Sequence, residues 1–158
     1  GIAQALLNNP KVLIVDEPTA GLDPEERIRF RNLLSEVAEE RIVILSTHIV
    51  GDIEATCEKI AILDSGRVLY QGTVNRLLAE ADGSVFTKTA DRAELPSLKK
   101  NLFITSMHTQ GTSVSVRFLA ENTVPGAHAC APNIEDAYMY YLKKNGLEQE
   151  VREDVVLA

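Results

Sequence analysis

Two short and uniformly apolar segments constrain the fold of this chain more than any other feature. In residues 11–15 (KVLIV), the four positions after Lys11 carry apolar side chains in succession rather than in alternation, and so do residues 42–45 (IVIL). A strand with one wet face alternates apolar and polar residues, whereas an interior strand of a parallel sheet is apolar throughout. Both segments are therefore predicted to be interior strands of a parallel sheet, which require cover on both faces.

A helix is predicted between these strands. Asp23 is a favoured N-cap residue, Pro24 suits the first helical position, and the acids at 25–26 suit the first turn. Arg27 and Arg31 are expected to face water, opposite an apolar stripe. The stripe comprises Phe30, Leu33, Leu34 and Val37. A strand, a helix and a second strand in this order predict a parallel α/β unit with a right-handed crossover.

The rest of the chain predicts one more helix, a hairpin and a smaller second unit. A short helix is expected at 50–57, and two strands within 59–72 are expected to join at a tight Ser65-Gly66 turn. Thr73 is a candidate cap for the next helix. Beyond a boundary near ADGS, the strands are predicted at 85–88, 102–107 and 113–118, and the helices at 95–99 and after Asn133. The predicted division is 1–81, a small α+β accessory domain at 82–145, and a flexible charged tail at 146–158.

Composition excludes several classes of function. The chain has 16 basic and 23 acidic residues and a net charge of −7, which argues against a nucleic-acid-binding surface. Cys57 and Cys130 lie far apart and outside any CxxC motif, so neither a disulfide framework nor a zinc site is indicated. No apolar stretch approaches the roughly 18 residues of a membrane span. A membrane role is expected only through a partner.

Polar side chains follow both predicted strands at the point where each strand ends. Asp16 and Glu17 come directly after the first strand, and His48 follows the second. In parallel α/β sheets, ligands bind beyond the carboxyl ends of the strands. Two carboxylates there suit Mg²⁺ and a general base, and an imidazole suits a phosphate oxygen or a positioned water. A solvated strand end and a structural histidine remain the alternatives for these residues.

Several ordered motifs resemble the ATP-binding subunits of ABC transporters. VLIVDE resembles the Walker B strand with its catalytic glutamate, AGLD the D-loop, and STH the switch histidine. GIAQAL is similar to the helix after the LSGGQ signature, and AILDSGRVLYQGT to the closing hairpin. PNIEDAYMYYL resembles the end of the accessory domain in many bacterial export-type subunits. The implied fold is the C-terminal half of a P-loop NTPase (ABC-type) parallel sheet with flanking helices, plus a small α+β accessory domain.

The resemblance implies a role for each acid and for the histidine. Asp16 would bind Mg²⁺ through a water, Glu17 would be the general base, and His48 would contact the γ-phosphate of ATP. Asp23 would work at the interface between two ATP-binding subunits, although capping its helix is a sufficient alternative. The implied protein hydrolyses ATP for a membrane transporter, with export as the expected direction. Its partners would be a second ATP-binding subunit and a transmembrane permease, at the cytoplasmic face of the membrane.

The departures from the family are as informative as the match. The sequence contains no GxxxxGKS/T stretch, no Q-loop and no LSGGQ, and its first helix lacks a cap, so further sequence is expected upstream. The chain alone is expected to be inactive, with one face or edge of its sheet exposed. Two alternatives remain open, a truncated non-catalytic interaction or regulatory fragment and an ABC-type ATPase outside transport. Upstream sequence encoding the missing motifs would favour the transporter subunit.

Overall fold

The computed structural model describes residues 2–146, so most of the tail predicted at 146–158 lies outside the described residues. The helices are α1 (Ile2–Leu6), α2 (Pro24–Ala38), α3 (Val50–Thr56), α4 (Val74–Ala81), α5 (Leu95–Asn101) and α6 (Ile134–Lys144). The strands are β1 (Val12–Asp16), β2 (Ile42–Ser46), β3 (Lys59–Asp64), β4 (Arg67–Thr73), β5 (Val85–Asp91), β6 (Phe103–Gln110), β7 (Ser113–Leu119) and β8 (His128–Ala129). A 3₁₀ turn at Arg92–Glu94 precedes α5.

The chain divides into two compact units, Gly1–Gln71 and Gly72–Ala158. This division lies earlier in the chain than the predicted boundary after residue 81. Helix α4, which the sequence grouped with the first part, packs on α6 within the second unit. The division at 1–81, 82–145 and 146–158 stays a prediction about domains.

In the first unit, β1 and β2 pair in parallel, as the sequence predicts, and Asp16 lies opposite Ser46 at the end of the ladder. Helix α2 begins as predicted, with the Asp23 side chain accepting a hydrogen bond from Glu26 N at 2.8 Å. Its Leu34 packs on one face of the sheet. The strand residues of this core are Leu13, Val15, Val43 and Leu45. The place of this pair in a larger P-loop sheet stays a prediction.

The opposite face of the β1–β2 pair is open. Among the described residues nothing buries its side chains, and Ile14 remains 73% exposed. The other exposed members of this face are Val12, Ile42 and Ile44. Alternation of side chains along a strand places these residues opposite Leu13 and its neighbours. The expectation that one face would be exposed is confirmed for the part of the chain that the structure describes.

Two details of α2 differ from the predicted stripe. Arg31 does not simply face water, because its Nη1 donates a hydrogen bond to the Gly51 carbonyl oxygen at 3.0 Å. The helical pattern places Arg31 away from the sheet, but α3 packs against that side of α2. Leu33 is exposed rather than packed on the sheet and lines a shallow surface groove with Leu22 and Phe30.

The predicted hairpin and cap are present after α3. Strands β3 and β4 pair with each other and are joined by Ser65 and Gly66, with φ of 47° and 76°. Positive φ at both central residues is the requirement of a type I′ turn, whose twist matches that of the flanking strands. The Thr73 hydroxyl then accepts a hydrogen bond from Arg76 N and begins α4.

The second unit contains a four-stranded antiparallel sheet in the order β6-β7-β5-β8. Strand β7 points Val114, Val116 and Phe118 to one face, where they are fully buried with Leu98 of α5. Arg117 points to the other face, where its Nε donates to the Asp136 carboxylate of α6. Helices therefore cover both faces. The predicted strands and helices of this region are present, whereas the two-residue strand β8 was not predicted.

Candidate functional site

The ends of β1 and β2 lie side by side, which brings the acids and the histidine to one edge of the sheet. Asp16 is the last residue of β1, and its Oδ1 accepts a hydrogen bond from the hydroxyl of Ser46, the last residue of β2. The parallel register therefore fixes where the segments after both strands begin. As predicted, Glu17 follows β1 directly, and His48 follows β2 after one intervening residue, Thr47.

Glu17 and His48 form a contact pair. Glu17 Oε1 accepts a hydrogen bond from His48 N at 3.1 Å and lies 2.8 Å from His48 Nδ1. The Glu17 amide also donates to the Ser46 carbonyl oxygen at 2.9 Å. These contacts fix both the backbone of Glu17 and one oxygen of its side chain.

Glu17 adopts an unusual backbone conformation, with φ of 45°. The left-handed region is uncommon for residues other than glycine, and strained residues cluster at functional sites. The conformation turns the chain sharply away from β1, and Ala20 N then donates to the Glu17 carbonyl oxygen at 3.1 Å. A costly conformation at this one acid argues against a merely solvated strand end.

The pair differs in exposure. The His48 side chain is 78% exposed and that of Glu17 is 33% exposed. Glu17 Oε2 is buried and has no hydrogen-bond partner among the described residues. A buried carboxylate oxygen without a donor is costly, and a donor from outside the described residues could reach this atom only if the groups around it moved.

The side chain of Asp23 is hydrogen-bonded to its own helix rather than to Glu17 or His48. Its described side-chain contact is the cap of its own helix, to Glu26 N, and the residue is exposed. The cap accounts for Asp23 on its own, and the interface role remains a prediction.

Two buried polar residues that the sequence analysis did not single out lie next to this site in the chain. Thr19 is 1% exposed and Asp52 is 2% exposed. The Thr19 hydroxyl donates to Asp52 Oδ2, and Asp52 Oδ1 lies 3.9 Å from Arg31 Nη1. The two residues are 33 positions apart, and no periodic pattern marks a polar pair of this kind.

The donor chemistry at the strand ends fits Mg²⁺ held together with a phosphate ligand. The described residues contain no cluster of three or more His, Cys, Asp or Glu side chains able to hold a metal alone. Mg²⁺ is usually bound by one or two carboxylates together with waters and substrate phosphates. Asp16 and Ser46 supply a carboxylate and a hydroxyl at this edge, and Glu17 Oε2 adds an unpartnered oxygen.

Several known proteins similar to this chain are ATP-binding proteins of ABC transporters. The uncharacterized ABC transporter ATP-binding protein YxlF of Bacillus subtilis is 30% identical over 159 residues, 99% of this chain and 52% of the relative. Another from the same organism, YhcH, is 34% identical over 127 residues, 79% of this chain and 40% of the relative. The Nod factor export ATP-binding protein I of Rhizobium johnstonii is 39% identical over 83 residues, 52% of this chain and 27% of the relative. No protein-family model matches the chain.

The chain belongs to the family of ABC transporter ATP-binding proteins. This confirms the family identified from the sequence motifs. The chain spans about half the length, or less, of the curated relatives it matches, and a C-terminal part of such a protein fits its size. None of the helices within residues 2–146 has the length and apolar character of a membrane span.

Proposed function

We propose that this chain supplies the hydrolytic residues of an ATP-binding subunit in an ABC exporter, and that Glu17 is its general base. The observation that carries the proposal is the contact of Glu17 Oε1 with both His48 N and His48 Nδ1 at the carboxyl ends of a parallel strand pair. Family membership supports ATP as the substrate. The relative named as a Nod factor export protein supports export as the direction.

Glu17 is suited to take a proton from the water that attacks the γ-phosphate. Its Oε1 is occupied by His48, and its Oε2 has no partner among the described residues but is buried, so the attacking water would reach it only after the groups around it move. A general base must lie within hydrogen-bond reach of the proton that it removes. His48 contacts Glu17 through Nδ1, which leaves Nε2 of this largely exposed ring for a γ-phosphate oxygen.

Asp16 is proposed to hold Mg²⁺ through a water. When bound, the metal ion would neutralise charge developing on the β- and γ-phosphates. Ser46 orients Asp16 by donating to its Oδ1, which fixes one oxygen and leaves the other to accept from a metal-bound water. The two adjacent acids then have separate tasks.

The partners follow from the same assignment. Phosphate-gripping and signature motifs are absent from these residues, so the proposed ATP site requires them from elsewhere in the subunit and from a second ATP-binding subunit. Asp23 is proposed to lie at that subunit interface. A transmembrane permease would provide the only contact with the membrane, at its cytoplasmic face.

Substitution of Glu17 tests the proposal in a full-length subunit that carries the Walker A and signature motifs. Glu17→Gln keeps the shape of the side chain and removes the base, so ATP should still bind while hydrolysis falls by about 10²- to 10⁴-fold. The subunits should also accumulate as an ATP-bound dimer. Single-turnover hydrolysis and size-exclusion chromatography in ATP and Mg²⁺ measure the two effects. Turnover within a few-fold of wild type would reject Glu17 as the base and favour a non-catalytic role.

Asp16→Asn is the matched comparison at the neighbouring acid. It should weaken retention of Mg²⁺, so raising the metal concentration should restore part of its hydrolysis, whereas the Glu17→Gln defect should not respond. Metal titrations of the two variants side by side separate a metal ligand from a base. Equal responses of the two variants would contradict the separate roles.

A further inference from the structure

We propose that Thr19 and Asp52 are positioning residues, and that their buried hydrogen bond holds Glu17 and His48 in contact during ATP hydrolysis. The inference rests on the proposed function of Glu17 and names what keeps that site in its working geometry. Neither residue is suited to touch the nucleotide, because Thr19 is 1% exposed and Asp52 is 2% exposed.

The segment after β1 and the segment after β2 are joined at two places. Glu17 and His48 form the first connection, which is open to solvent. Thr19 lies two residues beyond Glu17 and Asp52 four residues beyond His48, and their side chains form the second connection, which is buried. The exposed connection is weakened by competition with water, whereas the buried one is not. The buried connection is therefore the one suited to fix the spacing of the two segments.

The surroundings of Asp52 favour a role in geometry rather than in stability. A buried carboxylate is costly unless it is fully paired. Asp52 Oδ1 has no hydrogen-bond partner among the described residues, and its distance to Arg31 Nη1 is 3.9 Å. A partly satisfied buried charge contributes little to folding. Its use is to fix one arrangement of the groups around it, here the Thr19 hydroxyl.

Arg31 anchors the same junction to α2. Its Nη1 donates to the Gly51 carbonyl oxygen at 3.0 Å, directly before Asp52 in the chain. On the other side of the junction, Leu22 N donates to the Thr19 carbonyl oxygen at 3.2 Å, which tightens the turn that follows Glu17. The turn after β1, α2 and the start of α3 are thus joined around one buried carboxylate. Loss of the Thr19 hydroxyl would release the turn from α3.

Release of the turn should affect the chemical step more than nucleotide binding. A misplacement of about 1 Å in a catalytic group can cost about 100-fold in rate. The residues that grip the phosphates lie outside this junction, so affinity for ATP should be retained. The expected signature is a lower kcat with an unchanged Kd for ATP.

Thr19→Val in the full-length subunit tests the inference, because valine keeps the shape of threonine and removes the donor. We expect kcat to fall about 10- to 100-fold, with the Kd for Mg-ATP within twofold of wild type. Thr19→Ser, which retains the hydroxyl, should recover most of the rate. Thr56→Val is the matched control, since the Thr56 hydroxyl donates to the Asp52 carbonyl oxygen within α3 and joins no two segments. This control should leave kcat unchanged.

Each outcome decides the question. An unchanged kcat for Thr19→Val, an equal loss for Thr56→Val, or no recovery by Thr19→Ser would overturn the inference. A parallel loss of ATP affinity would also overturn it, because general damage to the fold would then explain the result. If Thr19→Val does not fold because Asp52 is left unpaired, the double variant Thr19→Val and Asp52→Leu replaces both partners by apolar groups and carries the same expectation. Glu17→Gln measured alongside separates the two proposals: a collapsed rate there with a normal Thr19→Val retains the base and rejects the positioning role, whereas a normal Glu17→Gln rejects both.

Discussion

The two units of this chain differ in how completely their sheets are covered. In the second unit, α5 packs on one face of the four-stranded sheet and α6 on the other. In the first unit, α2 covers one face of the β1–β2 pair, while Ile14 and its neighbours stay exposed on the other face. The second unit therefore buries its own core, whereas the first has an apolar face that the described residues leave exposed.

The two units also differ in how completely their buried acids are hydrogen-bonded, and again the second unit is the more complete. Asp136 is 1% exposed and accepts from Thr105 Oγ1 and Arg117 Nε, each at 2.6 Å, and from Asn133 N at 3.0 Å. Asp52 is almost as buried, yet one of its oxygens has no hydrogen-bond partner in the described residues. A fully satisfied network makes a structure rigid, whereas a partly satisfied one is costly. In this chain the satisfied network lies in the second unit and the costly one beside the proposed catalytic pair.

The largest expected difference is between the isolated units. Residues 72–158 should be monomeric and unfold in one cooperative transition, because helices cover both faces of their sheet. Residues 1–71 should aggregate, because contiguous exposed apolar surface on a sheet promotes association. Size-exclusion chromatography and thermal unfolding at matched concentration measure both. A monomeric and cooperatively folded 1–71 fragment would remove the contrast between the units.

The next effect concerns the buried network of the second unit. Arg117→Ala leaves Asp136 buried without its charged partner, so the free energy of unfolding should fall by about 3–5 kcal/mol. Lys144→Ala is the matched control, since Lys144 and Glu80 form a more exposed pair at 3.6 Å. That change should cost about 1 kcal/mol or less. Urea unfolding of residues 72–158 gives both values, and equal losses would show that the buried network does not hold the unit together.

The smallest effect on folding should come from the open face of the first unit. Ile14→Thr and Ile44→Thr keep residues that favour strands and remove apolar surface from the exposed face. The full chain should scatter less light at equal concentration, with an unchanged circular dichroism spectrum. Leu13→Thr, on the buried face, should instead disrupt the fold and increase aggregation. If Ile14→Thr behaves like Leu13→Thr, the exposed face is part of the core after all.

The sequence predicts those parts of the molecule that local chemistry controls. Asp23 begins α2, Ser65 and Gly66 form the hairpin turn, and Asn133 begins α6 with a reciprocal bond to Asp136, each as its residue type requires. Parallel pairing of two apolar strands was enough to predict that Glu17 and His48 would lie at one edge of the sheet, although their direct contact was not predicted. These features depend on nearest neighbours in the chain or on a simple rule of topology.

The sequence does not predict polar contacts between distant segments. Arg31 was expected in water because a helical stripe does not show that α3 packs against that side of α2. Thr19 and Asp52 gave no signal, since a single threonine or aspartate is usually exposed. The open face, by contrast, was expected because two uniformly apolar strands need cover on both faces and the motifs of the other half of the domain are absent from the sequence. Tertiary packing, which no local pattern encodes, decides the contacts of Arg31 and of the Thr19–Asp52 pair.

The left-handed backbone at Glu17 makes the residue that would be most stable at this position different from the residue that the proposed activity needs. Glycine adopts a positive φ without the clash that a Cβ atom brings, so Glu17→Gly would relax the turn after β1. A library of variants screened only for thermal resistance should therefore enrich glycine at position 17 and lose the carboxylate. If Glu17 is the proposed general base, such glycine variants of the full-length subunit should gain stability and lose hydrolysis, in keeping with the φ of 45° at this position.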